Sequence, residues 1–389
     1  MSINILQEVE EIKIEIIENR RAFHMHPELG FTEIHTAKDI AEKLQSYGIG
    51  VKTNIGKTGV VGNLVGNGGG KTIALRADMD ALPVQETNNV DYKSKNDGIM
   101  HACGHDGHMA MLLAAAKVLS QTQSKLNGNV RFIFQPAEEG QGGARYMIAD
   151  GCLEGVDEIY GMHLWNYQPY GEIGVKAGPI MAAADIFDIT ITGIGGHGAA
   201  PQGTVDAIVT ASNLIMNLQT IVSRNTDPLE STVITIGNIS GGHGFNIIAD
   251  EVKLRGTVRA MTEKNRLMVK SRMQEIIDGG AKSFGAKIVM DYQDGYPPLI
   301  NDINATRSVM DAALKISSRE ISEPYLTMGA EDFSYYLQKI PGCFFFVGSA
   351  PFKTKPMSVP HHCSHFDIDE RALLVGTSIF VQLIYDKLS

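Results

Sequence analysis

Four cysteines in 389 residues (Cys103, Cys152, Cys343 and Cys363) are too few and too irregularly spaced for a disulfide framework. Cys152 and Cys343 sit among apolar neighbours and read as inert core thiols. No Cys-x-x-Cys pair is present, which removes the usual dithiol redox and paired-cysteine structural zinc motifs. No apolar run reaches the roughly 20 residues that cross a bilayer, so no membrane is expected as a partner. Cationic charge is also short. Against 44 Asp and Glu stand 34 Lys and Arg, a net charge of −10. That balance argues against nucleic acid and anionic lipid. The first ten residues carry Glu8 and Glu10 and no basic-then-apolar pattern, unlike a signal peptide. With free thiols, this gives a cytoplasmic expectation. There are no repeats and no low-complexity tract. Gly66–Gly70 lacks the Gly-Lys-Ser/Thr ending of a phosphate loop and reads as a hairpin turn.

What is present is ordinary in bulk: 43% apolar and 20% charged residues, enough for a large core. The length points to two domains. Apolar residues at helical spacing predict helices over residues 5–24, Thr36–Tyr47 and His108–Gln121. Strand patterns fall at Gly59–Val65, Thr72–Arg76 and Asn129–Gln135. Alternating strands and helices imply a three-layer α/β domain. From 181 to 293 the order becomes strand Ala184–Thr192, helix Asp206–Val222, strands Ser231–Ser240 and Asp250–Ala260, helix Glu263–Phe284, strand Lys287–Tyr292. That is the ferredoxin-like βαββαβ order. It predicts an inserted domain (181–293) dividing a catalytic domain into 1–180 and 294–389. The last segment carries helices Asn304–Ser318 and Arg371–Leu388 and strand Cys343–Val347.

Chemistry concentrates in one stretch, Met100-His101-Ala102-Cys103-Gly104-His105-Asp106-Gly107-His108. Cys103 and His105 are two apart, so in an extended segment they face the same way. One thiolate with one imidazole suits zinc, manganese, cobalt or nickel. Since Cys103 lacks a nearby cysteine partner, further ligands have to come from distant strand ends, as in catalytic sites. Glu138-Glu139 follows a strand and Pro136; Asp78-Met79-Asp80 follows another; His163 ends an apolar run. The last cluster is His361-His362-Cys363-Ser364-His365. In open α/β sheets the ligand crevice lies outside the carboxyl ends of the strands.

The run His101–His108 resembles the signature of the amidohydrolase subgroup of the aminoacylase/carboxypeptidase metallohydrolases. That subgroup includes hippurate hydrolases, N-acetyl-diaminopimelate deacetylases and auxin–amino-acid hydrolases. The resemblance extends along the chain through His26-Pro27-Glu28-Leu29-Gly30, Arg76–Pro83, Phe134–Glu139, Gly196-His197-Gly198-Ala199, Gly329-Ala330-Glu331-Asp332-Phe333, and His362 with Phe366-Asp367. It implies a dinuclear centre of two divalent ions (Mn, Zn, Co or Ni) held by Cys103, His105, Glu139, His163 and His362. His362 is preferred to its neighbours because the family pattern has an aromatic four residues on, met by Phe366. Cys363-Ser364 departs from the usual Ser-Pro or Asn-Pro and leaves Cys363, like His361, an open question. By the same resemblance Glu138 is the general base toward a water activated by both cations, and Asp80 orients a metal-binding group. His197 donates to the oxyanion in a neighbouring subunit. Asn246 and Arg259 are candidates for the product carboxylate, with Arg255 an equal alternative. The implied reaction is hydrolysis of N-acyl amino acids by a homodimer or homotetramer. A carboxypeptidase or dipeptidase on the same site is the alternative enzyme. A metal-dependent binding protein and a thiol sensor centred on Cys103 are the readings from other classes.

Overall fold

The structure, a computed structural model, describes residues 4–317, 319–351 and 354–389. Residues 1–3 and Ser318, the expected end of one helix, lie outside that set. The chain divides into two compact units. The first comprises residues 1–178, 300–325 and 332–389, and the second 179–299 and 326–331.

The first unit is built on an eight-stranded sheet. Its strands include β1 (Gly50–Ile55), β2 (Gly59–Val65), β3 (Thr72–Asp78), β4 (Asn129–Gln135), β5 (Glu158–Trp165) and β6 (Gly342–Gly348). The order is β1-β2-β4-β3-β5-β6, completed by the short strands Ile173–Gly174 and Ile321–Ser322. β4, β3, β5 and β6 run parallel. β6 is buried at every residue and β5 at all but its first. Strands covered on both faces read as continuous apolar runs, which is why this segment shows no alternation. Four parallel strands deliver their carboxyl ends to one edge.

The Gly66–Gly70 stretch is not a hairpin. β2 and β3 do not pair, because β4 lies between them, antiparallel to β2 and parallel to β3. Gly66 and Asn67 donate instead to Gly128 and Leu126. The helix expected over 5–24 is split into α1 (Ile5–Glu11) and α2 (Lys13–Met25). At the break, Ile12 leaves helical φ/ψ and packs against the core. Then come α3 (Ile34–Ser46) and α4 (His105–Gln121). α4 is almost wholly buried, as expected of a helix apolar on every side.

The second unit holds a four-stranded antiparallel sheet in the order Thr232–Gly241, Glu251–Ala260, Ala183–Thr192, Lys287–Tyr296. Helices Ala207–Thr220 and Glu263–Phe284 pack on one face of it. Ala183–Thr192 alternates buried with more exposed residues, the mark of a half-covered sheet. Asp185 is its buried anchor, taking Arg266 (2.6 Å), Tyr292 Oη (2.8 Å) and Gly295 N (2.8 Å). Among the described residues no helix is long and apolar enough to cross a membrane.

Candidate metal centre

The carboxyl ends of β3, β4 and β5 and the first turn of α4 carry the site. Cys103 and His105 are not in an extended segment. Gly104 takes the left-handed conformation (φ 91°) and His105 opens α4. A side chain at 104 would strain that turn, and the turn is what brings Sγ and the imidazole to one side. Among the described residues, five groups of ligand atoms lie within 4.8 Å of one another, and three of them draw on the expected ligands: Cys103, His105 and His163; Cys103, Glu139 and His362; His105, Glu138 and Glu139. Cys103, His105 and Glu139 each belong to two of these three.

The imidazoles of His105 and His163 are each aimed by their other nitrogen. His105 Nδ1 donates to the backbone carbonyl of Asp80 (2.8 Å), leaving Nε2 buried with no hydrogen-bond partner. His163 Nδ1 donates to Leu164 O (2.7 Å) and its Nε2 faces Cys103 Sγ at 3.5 Å. His362, at φ 65°, is pinned by its own N–H to Ala102 O (2.8 Å), and its Nε2 lies 3.1 Å from Glu139 Oε1. His105 and His163 are thus held as metal-ligating histidines usually are. His108 also falls in a ligand-type group, with Asp78 and His105. Both of its nitrogens are spent, however. Nδ1 meets Asp78 Oδ1 at 2.6 Å and Nε2 accepts the Leu164 N–H at 2.9 Å.

The position of Asp80 refines what was expected of it. Its carbonyl takes the His105 Nδ1–H at 2.8 Å, and its carboxylate lies 3.5 Å from the same nitrogen. The carboxylate accepts the backbone N–H groups of Glu138 (2.9 Å) and Glu139 (3.0 Å). Preceding them, Ala137 sits at φ 52°, an uncommon backbone for a residue with a Cβ.

The electrostatics favour cations. Burial, with Glu139 and Glu138 alongside, pushes the Cys103 thiol well above its usual range. Burial raises Asp78 too, but His105, His108 and Arg76 outweigh it and hold the carboxyl well below normal. Burial, with His108 and His361 beside it, keeps the His163 imidazole well below its usual value. A buried thiolate among carboxylates is unfavourable unless positive charge accompanies it, and a bound cation inverts that preference. Soft sulfur, imidazoles and a carboxylate, with a buried His105 Nε2 that has no hydrogen-bond partner among the described residues, fit two divalent ions.

Several supports had no role assigned from the sequence, and Glu33 lay in no motif at all. Glu33 is fully buried. It accepts Ala137 N–H (2.9 Å) and the Thr58 hydroxyl (2.5 Å), bracing the turn beneath Glu138. Asp332 takes Arg76 (2.9 Å), Gln135 (2.8 Å) and Ala144 N (2.9 Å). Glu28 accepts His35 N and Thr36 N at the start of α3. A side chain on Gly30 would meet Ala137 at 3.0 Å, so the His26–Gly30 loop packs directly under the Glu138 turn. These contacts explain the motif residues as scaffolding.

His197, Asn246 and Arg259 lie in the second unit. The two-residue strand Gly196–His197 pairs with Ile247–Ile248. His197 Nδ1 accepts Ala199 N–H (3.0 Å), and Gly198 N donates to Asn246 O (2.8 Å). Arg259, half-buried, turns back on Thr257 and on the carbonyl of Val258 (3.1 Å). Arg255 is exposed, 3.8 Å from Asp188.

The α/β fold and this cysteine–histidine–carboxylate centre define a metallohydrolase, and residues 74–386 match Peptidase family M20/M25/M40, to which the chain belongs. It is a hydrolase acting on C–N bonds. It is 43% identical over 373 residues to thermostable carboxypeptidase 2 of Saccharolobus solfataricus, covering 95% of this chain and 94% of that one. It is 43% identical over 360 residues to N-acetyl-L-cysteine deacetylase of Bacillus subtilis, covering 92% and 85%. A solved Bacillus subtilis structure, a dinuclear metal-binding peptidase of the M20 family, superposes with a TM-score of 0.85 at 36% identity over 97% and 98% of the two chains.

Proposed function

We propose that the chain removes the acyl group from N-acyl amino acids, N-acetyl in the first instance, releasing carboxylate and free amino acid. Cys103, His105, His163, Glu139 and His362 would hold the two cations. The observation that carries the reading is the pairing of the open His105 Nε2 and shared Cys103 Sγ with Glu138 in the same cluster. When bound, divalent ions supply Lewis-acid polarisation of the amide carbonyl and bring the pKa of water toward neutrality. Glu138 takes the proton of the attacking water and returns it to the leaving nitrogen. Asp80 keeps Glu138 and Glu139 in register through their backbone N–H groups. His197 donates to the developing oxyanion. Asn246 and Arg259 bind the free carboxylate, for which arginine is the bidentate partner. The ion is Mn, Zn, Co or Ni, the chain works as a homodimer or homotetramer, and its compartment is the cytoplasm.

A carboxypeptidase reading has one specific support, the activity for which the Saccharolobus relative is named. Both reactions cut an amide beside a free carboxylate. Hydrolysis of N-acetyl amino acids and dipeptides, measured with each of the four metals, separates them. Turnover confined to dipeptides overturns the deacylase reading. Glu138→Gln is expected to lower kcat by about 10²–10⁴-fold with metal content unchanged. Full turnover in that variant would remove Glu138 as the base.

A further inference from the structure

His361 touches the thiol yet has no part in the chemistry assigned to the centre. Its Nε2 accepts the backbone N–H of Asn166 at 3.2 Å. That peptide is itself locked: Asn166 Nδ2 donates to Val359 O (3.0 Å) and Asp367 O (2.8 Å), and Oδ1 accepts from Ser349 Oγ (2.8 Å). An imidazole that accepts at Nε2 carries its proton on Nδ1. His361 Nδ1 lies 3.8 Å from Cys103 Sγ, with the backbone of Cys103 as a second acceptor beside it. The ring cannot easily swing away. Trp165 lies against it at 4.9 Å, Phe366 at 5.0 Å and Tyr167 at 5.3 Å between centroids. The two adjacent histidines therefore divide the site. His362 turns to the Glu139 carboxylate, and His361 turns an N–H to the sulfur.

We infer that His361 is a positioning residue whose Nδ1–H donates to the Cys103 sulfur and thereby sets which divalent ion the centre prefers. The inference rests on the proposed role of Cys103 as a metal-binding thiolate. A hydrogen bond to a thiolate withdraws electron density from sulfur and makes it a poorer soft donor. Soft donors favour zinc, and harder ones favour manganese. Hydrogen bonds to sulfur tune metal centres in the same way elsewhere. His361 thus biases the centre away from zinc.

The test is a cobalt(II) titration of the full-length, metal-stripped protein, read at the sulfur-to-cobalt charge-transfer band, with zinc–manganese competition alongside. In His361→Phe, which keeps an aromatic ring but no donor, the band moves to lower energy. The zinc-over-manganese preference rises by about 10–100-fold, the usual scale for losing a second contact to a ligand. Stoichiometry stays as in wild type. His361→Asn, whose amide nitrogen falls where Nδ1 does, restores both readouts toward wild type. Should the Phe variant fail to fold, His361→Gln, whose amide reaches past that point, replaces it with the same expected shifts. An unmoved band with unchanged metal preference reduces His361 to packing and overturns the inference. Loss of one bound cobalt makes it a ligand and overturns it too. A wild type with no charge-transfer band defeats the thiolate reading itself, a separate outcome.

Discussion

Two buried charge clusters share the first turn of α4, and they are built to different ends. One is formed by Asp106, Arg20, His24 and Glu86. Arg20 Nε and His24 Nδ1 both reach Asp106 Oδ2 at 2.8 Å. Arg20 continues to Asp367 (2.9 Å) and Glu370 (3.3 Å), and His24 Nε2 to Glu86 (3.3 Å). Burial works against Asp106, yet Arg20 and His24 hold its carboxyl far below the ordinary range. The other cluster is formed by Cys103, His105, His163, Glu139 and His362. That set holds no arginine or lysine, and among the described residues His105 Nε2 has no hydrogen-bond partner. The same nine residues feed both, since Asp106 follows His105 directly. A dense run of ligand-type residues therefore does not by itself mark a metal site. What separates the two is whether the protein supplies the counter-charge. In the first it does, through Arg20; in the second it leaves the place for an ion.

The largest expected effect breaks the open cluster. His105→Ala is expected to lower the metal content per chain below the wild-type value and to cut kcat by more than about 10³-fold, since the rate rests on the ions. Elemental analysis and turnover measure both. Retention of full metal content would mean that the open nitrogen is not a ligand. The matching change in the closed cluster is Arg20→Met. It strands Asp106 in the core, and losing one partner of a buried pair costs about 3–5 kcal/mol. Urea unfolding should show that loss, with metal content of the folded protein unchanged. If metal were lost with stability intact, the two clusters would be a single site.

Much of this was legible in the chain. The β3 and β4 patterns and the helix at residues 263–284 stand where the periodicity put them, because long strongly patterned segments leave little choice. Met100–His108 announced a site by density alone. Three things were not readable. The turn at Gly104 replaces an extended Cys-x-His with a strand-to-helix corner, and spacing in sequence does not reveal a left-handed residue. The placement of β4 between β2 and β3 is a tertiary choice, invisible to local turn signals at Gly66–Gly70. Glu33 reaches Thr58 and Ala137, 25 and 104 residues away, so nothing near it in the chain hints at burial.

Glu33 sharpens the comparison, since it lies under the metal-centre wall but is satisfied by protein groups alone. Burial raises its carboxyl to about 7, ahead of the opposing hydrogen bonds from Thr58 and Ala137. For an acid whose folded-state pKa is raised, the folded state binds the proton more tightly. Stability is then highest below the ordinary glutamate range, falls as pH rises toward 7, and is flat above it. A shift of this size is worth about 3 kcal/mol at most. Glu33→Gln should flatten that slope. The check is urea unfolding of wild type and variant at pH 5 and pH 8. Parallel pH dependence in the two would mean that Glu33 is ionised throughout.

The smallest expected effect falls between the clusters, on His101. Its ring is buried with 1% exposure, and among the described residues neither nitrogen has a hydrogen-bond partner. Burial is the main reason its pKa falls to about 4, so the ring is neutral at working pH. It stands 6.5 Å from the His24 ring, between centroids. A buried polar atom with no partner has already lost its hydration, so replacing it with an apolar group of similar shape is close to neutral. His101→Phe is therefore expected to change stability by less than about 1 kcal/mol and to leave metal content intact. Two departures are informative. Loss of metal would place His101 among the ligands of the open cluster. A loss of stability near that of Arg20→Met would show that it completes the closed one, its nitrogens serving the free oxygen Oδ1 of Asp106.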